Sequence, residues 1–242
     1  MTSPEPPVLA VDGPGGSGKG TAGQLCARAL GWHYLDSGAI YRALAYIVRK
    51  KNIDINDLDK ILDAAREMKF ECRPLPPEPA EIWVNGIPAT DDLRGEEMGD
   101  LASRLAATAQ IRSILLDLQR NARKMPGLVA DGRDMGTIVF PHATLKIFLT
   151  ASPEERAKRR YNQLKLKDFD VSLADLFQAI QERDARDSER DISPLFAAQD
   201  AVTIDSSDLG IDEVVTRILD LIYNQLEYLN IDSIEHQPDL TR

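Results

Sequence analysis

The stretch that decides the fold is Asp12-Gly13-Pro14-Gly15-Gly16-Ser17-Gly18-Lys19-Gly20-Thr21. The apolar run Val8-Leu9-Ala10-Val11 before it predicts a buried strand, and residues 22–30 after it predict a helix. A strand, a glycine-rich turn with Gly-Lys and a helix form a phosphate-binding loop. Glycines let consecutive backbone N–H groups surround an anion, and the start of the helix adds partial positive charge. Lys19 can then reach the outer phosphates of a nucleoside triphosphate.

One position departs from the usual phosphate-loop pattern. Gly13, Gly18 and Lys19 satisfy G-x-x-x-x-G-K, but Gly20 stands where Ser or Thr usually follows the lysine, and Thr21 comes one place later. We therefore expect Mg²⁺ to depend more on phosphate oxygens and water than on a hydroxyl at position 20. The alternative is a flexible glycine-rich loop with an exposed lysine, but the flanking strand and helix favour phosphate binding.

Composition restricts the class of protein. The chain has 242 residues, of which 43% are hydrophobic, a net charge of −10 and two cysteines. This length fits one large α/β domain or a core that carries insertions. The acidic balance disfavours a nucleic acid polymer as partner, whereas local arginine clusters still allow small phosphorylated ligands. Few cysteines and no apolar run of roughly 20 residues predict a cytoplasmic protein with no membrane partner.

Short apolar runs alternate with helical patterns along most of the chain. The predicted strands are Val8–Asp12, Trp32–Leu35, Gly127–Asp131, Leu145–Thr150 and Ala201–Asp205. The alternation predicts a three-layer α/β/α fold in which helices cover both faces of a central parallel sheet. Ligands of such folds bind at the carboxyl ends of the strands, where Asp12, Asp36, Asp131 and Asp205 stand.

Residues 69–95 interrupt this alternation, because they are rich in proline and strand-like. Asn85-Gly86 between apolar residues predicts a type I′ hairpin. We expect a small antiparallel insert on a single domain of residues 8–228, whose core is 8–68 and 96–228; a long ordered loop is the alternative. Residues 1–7 and 229–242 are expected to be disordered tails.

A second polar cluster follows the weakest predicted strand. Ser37 is expected to cap a helix over residues 39–50, and Arg42 lies about one turn inside it. Such an arginine can point back toward the helix start and bind a second phosphate group. A serine cap and a helical arginine also occur commonly for structural reasons alone.

Taken together, the motifs of this chain resemble those of the bacterial cytidylate kinases. The motifs that carry the resemblance are the loop ending Gly-Lys-Gly-Thr, Asp36-Ser37-Gly38-Ala39-Ile40-Tyr41-Arg42, Asp131-Gly132-Arg133-Asp134-Met135-Gly136-Thr137 and Glu182-Arg183-Asp184-Ala185-Arg186-Asp187. The resemblance runs from Val8 to about Leu226 and implies a P-loop NTPase fold with a short lid over about 156–172. It implies a monomer that transfers the γ-phosphoryl group of ATP, with Mg²⁺, to CMP or dCMP, giving ADP and CDP or dCDP.

The resemblance also implies a role for each matching residue. ATP would bind the phosphate loop and Arg160, the loop residues being Gly13, Pro14, Gly15, Gly16, Ser17, Gly18, Lys19, Gly20 and Thr21. The CMP sugar and phosphate would contact Ser37, Arg42, Arg133, Asp187 and Arg190. The cytosine edge would contact Ser103, Arg112 and Asp134, and a carboxylate with an arginine and a hydroxyl matches the donor and acceptors of cytosine.

Two helices carry regularly spaced arginines. Ser152-Pro153 with Glu155 is a capping-box pattern, and Arg156, Arg159 and Arg160 can share one face of the helix that follows. The resemblance implies that Arg159 and Arg160 bind ATP phosphates. It implies that Arg183, on a helix over about 172–191, clamps the phosphates of donor and acceptor, so that Lys19, Arg159 and Arg183 are catalytic. The alternatives are a solvated basic helix and a salt-bridged surface helix.

Two rival functions share the phosphate loop. A P-loop kinase for another acceptor, such as another nucleotide or a hydroxylated metabolite, would differ only in its acceptor residues. A GTPase-type switch reads guanine with Asn-Lys-x-Asp, which this sequence lacks, and Asp134 stands where its Asp-x-x-Gly motif would place glycine. His33, His142 and His236 lack the spacing of metal ligands, so no protein-held metal centre is expected.

Overall fold

A computed structural model of the protein describes residues 5–75, 78–166, 171–190 and 192–229. The chain divides into two compact units, which are described separately. The first unit comprises residues 1–35, 122–189 and 194–242, and the second comprises residues 36–121 and 190–193. Among the described residues we find no helix with the length and apolar character of a membrane span.

Five strands form a parallel sheet. They are β1 (Val8–Asp12), β2 (His33–Asp36), β6 (Leu128–Gly132), β7 (Leu145–Thr150) and β8 (Val202–Asp205), in the order β2-β6-β1-β7-β8. The central strand β1 is buried throughout. It pairs with β6, where Val8 lies opposite Leu128, and with β7, where Leu9 lies opposite Leu145. The carboxyl end of β1 therefore lies between those of β6 and β7.

Among the described residues, four α-helices complete the first unit. They are α1 (Lys19–Leu30), α6 (Pro153–Lys165), α7 (Leu173–Ser188) and α8 (Ile211–Tyr228). Helix α8 buries Val214, Ile218, Ile222 and Leu226, which recur every four residues and so form one apolar stripe. This stripe packs with α1 and the sheet into one hydrophobic core. The predicted capping box is only half formed. Ser152 Oγ accepts a 3.2 Å hydrogen bond from the Glu155 N–H at the start of α6, but the Ser152 N–H donates to Ser207 Oγ and the Glu155 carboxylate pairs with Arg159.

The described part of the second unit contains four α-helices, a short 3-10 helix (Asp92–Arg94) and an antiparallel sheet. The helices are α2 (Ser37–Lys50), α3 (Leu58–Glu67), α4 (Glu96–Leu105) and α5 (Ala109–Arg120), and the strands are β3 (Phe70–Leu75), β4 (Glu78–Val84) and β5 (Ile87–Pro88). The predicted hairpin at Asn85-Gly86 is confirmed, since both residues have positive φ, 51° and 78°, and β4 pairs antiparallel with β5. The sheet lies within the predicted insert of residues 69–95, whereas the compact unit around it begins at residue 36.

The predicted fold class is confirmed. One predicted helix cap is wrong, and the predicted lid and tails lie partly outside the described residues. The cap of α2 was predicted at Ser37, which is wrong: Asp36 is the cap, accepting a 3.1 Å hydrogen bond from the Ala39 N–H, and Ser37 is the first helical residue. Aspartate is an equally good cap, and the helix begins at Ser37, two residues before the predicted start at residue 39. In the predicted lid, residues 167–170 lie outside the described residues, as do residues 1–4 and 230–242 of the predicted tails.

Candidate active site

The loop between β1 and α1 has the geometry of an anion cradle. Gly18 caps α1 in the left-handed region, with φ 90°, a conformation that residues with a side chain rarely adopt. The first backbone N–H groups of α1 therefore face the loop's interior, where the helix dipole favours negative charge. The Lys19 Nζ donates a 3.2 Å hydrogen bond to the Pro14 carbonyl and lies 3.9 Å from Asp131 Oδ1. The Lys19 side chain is thus held against the loop and the end of β6.

One buried hydroxyl of this loop has no internal partner. Ser17 is 1% exposed, and its Oγ makes no hydrogen bond to any residue that the structure describes. A buried hydroxyl without a partner is costly, so its presence calls for a ligand or solvent atom that would satisfy it. This observation fits a loop that receives phosphate oxygens.

Two of the predicted arginines lie beside Gly15 of the loop. A Cβ placed on Gly15 would lie 3.5 Å from Arg133 Nη2 and 4.0 Å from Arg183 Nε. The Arg133 Nε donates a 3.0 Å hydrogen bond to Asp187 Oδ2, and Arg183 Nε lies 3.9 Å from the same oxygen. The buried Asp187 thus lies between the two guanidinium groups, and the three residues form what we call the Asp187 clamp. It brings two fixed positive charges to the edge of the phosphate loop.

Helix α6 directs its arginines to different partners. Arg156 is buried and donates to the carbonyls of Ala151 and Gly15, and it forms a two-armed pair with Asp184 at 3.0 and 2.5 Å. Arg159 donates to Glu155 and to the carbonyls of Ser17 and Ser206. The predicted common face is therefore divided, with Arg156 under the loop and Arg159 at its far end, beside Ser17.

Arg160, the third arginine of this helix, differs from both of these. Its Nη1 lies 3.4 Å from Gln163 Oε1, a residue of the same helix. It is only partly buried, unlike Arg156. Its contact with ATP phosphates stays a prediction.

A buried carboxylate organises the turn after β6. Asp12, the last residue of β1, accepts 2.8 Å hydrogen bonds from the backbone N–H groups of Met135 and Gly136. The pKa of Asp12 is raised to about 7: burial raises it most, the nearby charges of Asp134 and Asp131 add to the rise, and the two backbone hydrogen bonds partly offset it. The turn of residues 135–139 is a single π-helical turn that Asp134 precedes, and Asp134 is itself buried. The turn that carries Asp134 is therefore tied to the start of the phosphate loop.

The second unit brings two other predicted residues together. The Arg190 Nη2 donates to Ser103, to the carbonyl at 3.2 Å and to Oγ at 2.9 Å. Arg112 donates a 3.2 Å hydrogen bond to the Ala106 carbonyl and lies over the Tyr41 ring, 5.7 Å from its centroid. Ser37 and Arg42 lie in the first two turns of α2, where Ser37 is buried.

Sequence reasoning gave no site role to four residues of the first unit: Asp12, Tyr34, Asp131 and Arg156. Asp131 was recognised only as the last residue of a predicted apolar strand, a position at which phosphate-loop proteins can carry a metal-associated carboxylate. Tyr34 appeared only as a strand residue, but its hydroxyl donates a 2.9 Å hydrogen bond to Asp131 Oδ2. No group of three or more metal-ligating side chains occurs in the described part of the chain.

Comparison with known proteins agrees with this geometry. The model of the family described as cytidylate kinase matches residues 9–224. The chain belongs to the cytidylate kinase family. It is 49% identical to a cytidylate kinase of Nitrosomonas europaea over 89% of this chain and 94% of the relative, and 52% identical to one of Methylococcus capsulatus over 89% and 96%. Among solved structures it is similar to a gluconokinase from Sinorhizobium meliloti, at 18% identity and TM-score 0.45 over 96% of this chain and 100% of that chain.

Proposed function

We propose that this member of the cytidylate kinase family transfers the γ-phosphoryl group of ATP to CMP or dCMP. The bond between the γ-phosphorus and its bridging oxygen to ADP breaks, and a bond to a phosphate oxygen of the acceptor forms. The observation that carries the proposal is the convergence of Lys19, Arg133 and Arg183 at one phosphate-binding loop. Family membership and the names of the relatives support the choice of cytidine nucleotides as acceptors.

The donor side follows from the phosphate loop. Its backbone N–H groups and Lys19 bind the β- and γ-phosphates, and Ser17 Oγ supplies a further hydrogen bond. The Asp131 carboxylate, buried beside Lys19, is of the ligand type that Mg²⁺ accepts together with phosphate oxygens and water. The metal neutralises phosphate charge when it is bound. Arg159 and Arg160 stay proposed partners of the ATP phosphates.

The acceptor side follows the residues that the resemblance implies. The proposed residues for the sugar and phosphate are Ser37, Arg42, Arg133, Asp187 and Arg190, and those for the cytosine edge are Ser103, Arg112 and Asp134. Asp187 also positions Arg133, because its Oδ2 accepts a 3.0 Å hydrogen bond from the Arg133 Nε. Uracil has no amino group to donate to the buried Asp134 carboxylate, which would be left unpaired, so UMP would bind less well.

Catalysis on this proposal consists of positioning and charge neutralisation. Phosphoryl transfer needs no covalent intermediate, so the chain needs no nucleophilic side chain. Arg183 lies beside the loop and would stabilise charge that develops on the transferring group. Closure of residues 156–172 over the substrates would exclude water and suppress ATP hydrolysis. The two thiols of the chain, both free, favour a reducing compartment, and we expect a monomer.

A coupled assay of ADP release with CMP, dCMP, UMP and AMP tests the proposal. We expect turnover with CMP and dCMP, and kcat/KM at least about tenfold lower with UMP and AMP. Lys19→Met should abolish turnover, whereas Lys124→Met, which removes an exposed lysine before β6, should not. Preference for another acceptor would favour the rival P-loop kinase, and no ADP with any cytosine nucleotide would overturn the proposal.

A further inference from the structure

The side chain of Tyr34 on β2 reaches the end of the neighbouring strand β6. Its hydroxyl donates a 2.9 Å hydrogen bond to Asp131 Oδ2 and lies 3.5 Å from the Gly20 carbonyl. The other oxygen, Oδ1, lies 3.9 Å from Lys19 Nζ. The two oxygens of Asp131 therefore face different partners, so the phenol restricts how the carboxylate can rotate.

The same contact occupies the space of a missing side chain. Gly20 stands where most phosphate loops carry Ser or Thr. A Cβ at this position would lie 3.2 Å from Asp131 Oδ2 and 3.8 Å from the Tyr34 hydroxyl. A serine there could enter only if the Asp131 carboxylate moved by a few tenths of an ångström.

We propose that Tyr34 is a positioning residue, which replaces the absent loop hydroxyl by orienting Asp131 toward the metal of a bound Mg²⁺–ATP complex. The inference rests on the proposed function only in taking Mg²⁺–ATP as the donor. Carboxylates that bind metals are commonly oriented by a hydrogen bond to their second oxygen, and loss of such a partner costs roughly 10–100-fold in metal affinity. Tyr34 would thus act through Asp131 and would not contact the phosphates itself.

The ring of Tyr34 has a separate packing role, which allows a clean test. A Cβ on Gly23 of α1 would lie 3.1 Å from Tyr34 Cε2, so the ring packs closely on this helix. Tyr34→Phe keeps the ring and removes only the hydroxyl. The matched control is Tyr228→Phe, at the exposed end of α8.

The test is calorimetric titration of ATP into the protein without acceptor, once with excess Mg²⁺ and once with EDTA. For Tyr34→Phe we expect affinity for Mg²⁺–ATP to fall about tenfold, while affinity for metal-free ATP changes less than twofold. A merely structural role would weaken both equally, and that result, or no change in either, would overturn the proposal. Tyr228→Phe should change neither.

A second pair of variants asks whether the two hydroxyls substitute for each other. Gly20→Ser alone should weaken Mg²⁺–ATP binding, because its Cβ crowds Asp131. In a Tyr34→Phe background the serine hydroxyl can donate to Asp131 instead, so the double variant should bind Mg²⁺–ATP more tightly than additive losses predict. Additive losses would overturn the inference. These titrations contain no acceptor, so their outcome is independent of whether CMP is the true substrate.

Discussion

The carboxylate of Asp12 accepts a 2.8 Å hydrogen bond from the backbone N–H of Gly136, 124 positions later in the chain. A Cβ on Gly136 would lie 3.1 Å from Lys146 Cδ and 3.4 Å from Asp12 Oδ2, so a larger residue would fit only if the Lys146 side chain moved by a few tenths of an ångström. The carboxylate thus joins the phosphate-loop strand to the turn that follows Asp134. The proposed ATP-binding loop and the proposed cytosine contact are therefore both attached to Asp12.

The pH dependence of stability should reveal this carboxylate. Its pKa is raised from 3.8 to about 7 in the folded protein by burial, with Asp131 and Asp134 adding repulsion. Between pH 4 and 7 the folded state then binds more protons than the unfolded state, so the free energy of unfolding falls as pH rises and levels off above pH 7. The Asp12 share of this fall is on the order of 4 kcal/mol.

Urea unfolding of the wild type and of Asp12→Asn at several pH values isolates that share. Asparagine does not ionise. The free energy of unfolding of the wild type, relative to that of Asp12→Asn, should therefore fall as pH rises from 4 to 7. The lowered pKa values of Asp200 and Asp205, which gain hydrogen-bond partners, act oppositely but cancel in the difference. A difference independent of pH would contradict the prediction.

Removing the partner of Arg156 should destabilise the first unit. Asp184→Asn leaves a guanidinium that is 3% exposed without its carboxylate, and uncompensated buried charges cost roughly 3–5 kcal/mol. The matched control is Glu213→Gln, which breaks the Arg217–Glu213 pair, whose side chains are both about half exposed, and should cost less than about 1 kcal/mol. Equal, small losses of unfolding free energy in both variants would show that the Arg156 pair is not buried in solution.

A small residue is required beneath the indole of Trp32. A Cβ on Gly127 would lie 2.4 Å from the Trp32 ring, so Gly127→Ala should cost about 1–3 kcal/mol through overpacking and lower the Tm by several degrees. Gly210→Ala is the control, because nothing lies within 4 Å of its Cβ position. Thermal unfolding followed by circular dichroism measures both; an unchanged Tm for Gly127→Ala would contradict the close packing.

The proposed contact of Asp134 with cytosine predicts a selective kinetic effect. Asp134→Ala should raise the KM for CMP roughly 10–100-fold, since a buried hydrogen-bonding partner is lost, and should leave the KM for ATP within about twofold. Asp208→Ala, at an exposed aspartate after β8, should change neither constant. Equal increases in both KM values would show that Asp134 does not act at the acceptor base.

Local motifs were predictable, and contacts across the sheet were not. Gly18 and Lys19 could be assigned from sequence because strand, turn and helix are consecutive there, and the Asn85-Gly86 hairpin follows from two adjacent residues. The cap of α2 was assigned one residue late, because Asp36 and Ser37 are both good caps and periodicity does not choose between them.

Partner choice depends on strand order, which periodicity does not contain. Arg156 and Arg159 have the same spacing signal on α6, yet one pairs with Asp184 and the other with the Ser206 region. Likewise, Tyr34 meets Asp131 only because β2 lies beside β6 in the sheet. These contacts span long sequence separations, and a single sequence does not reveal them.

The order β2-β6-β1-β7-β8 has a consequence for synthesis on the ribosome. Strand β1 leaves the exit tunnel early, but its two edges can pair only after β6 and β7 have been synthesised, where Val129 and Leu145 lie opposite Leu9. The contiguous residues 36–121 emerge whole in the meantime and can fold first. Until then the nascent chain carries an unpaired apolar strand, the kind of segment that chaperones recognise and that aggregates when translation stalls.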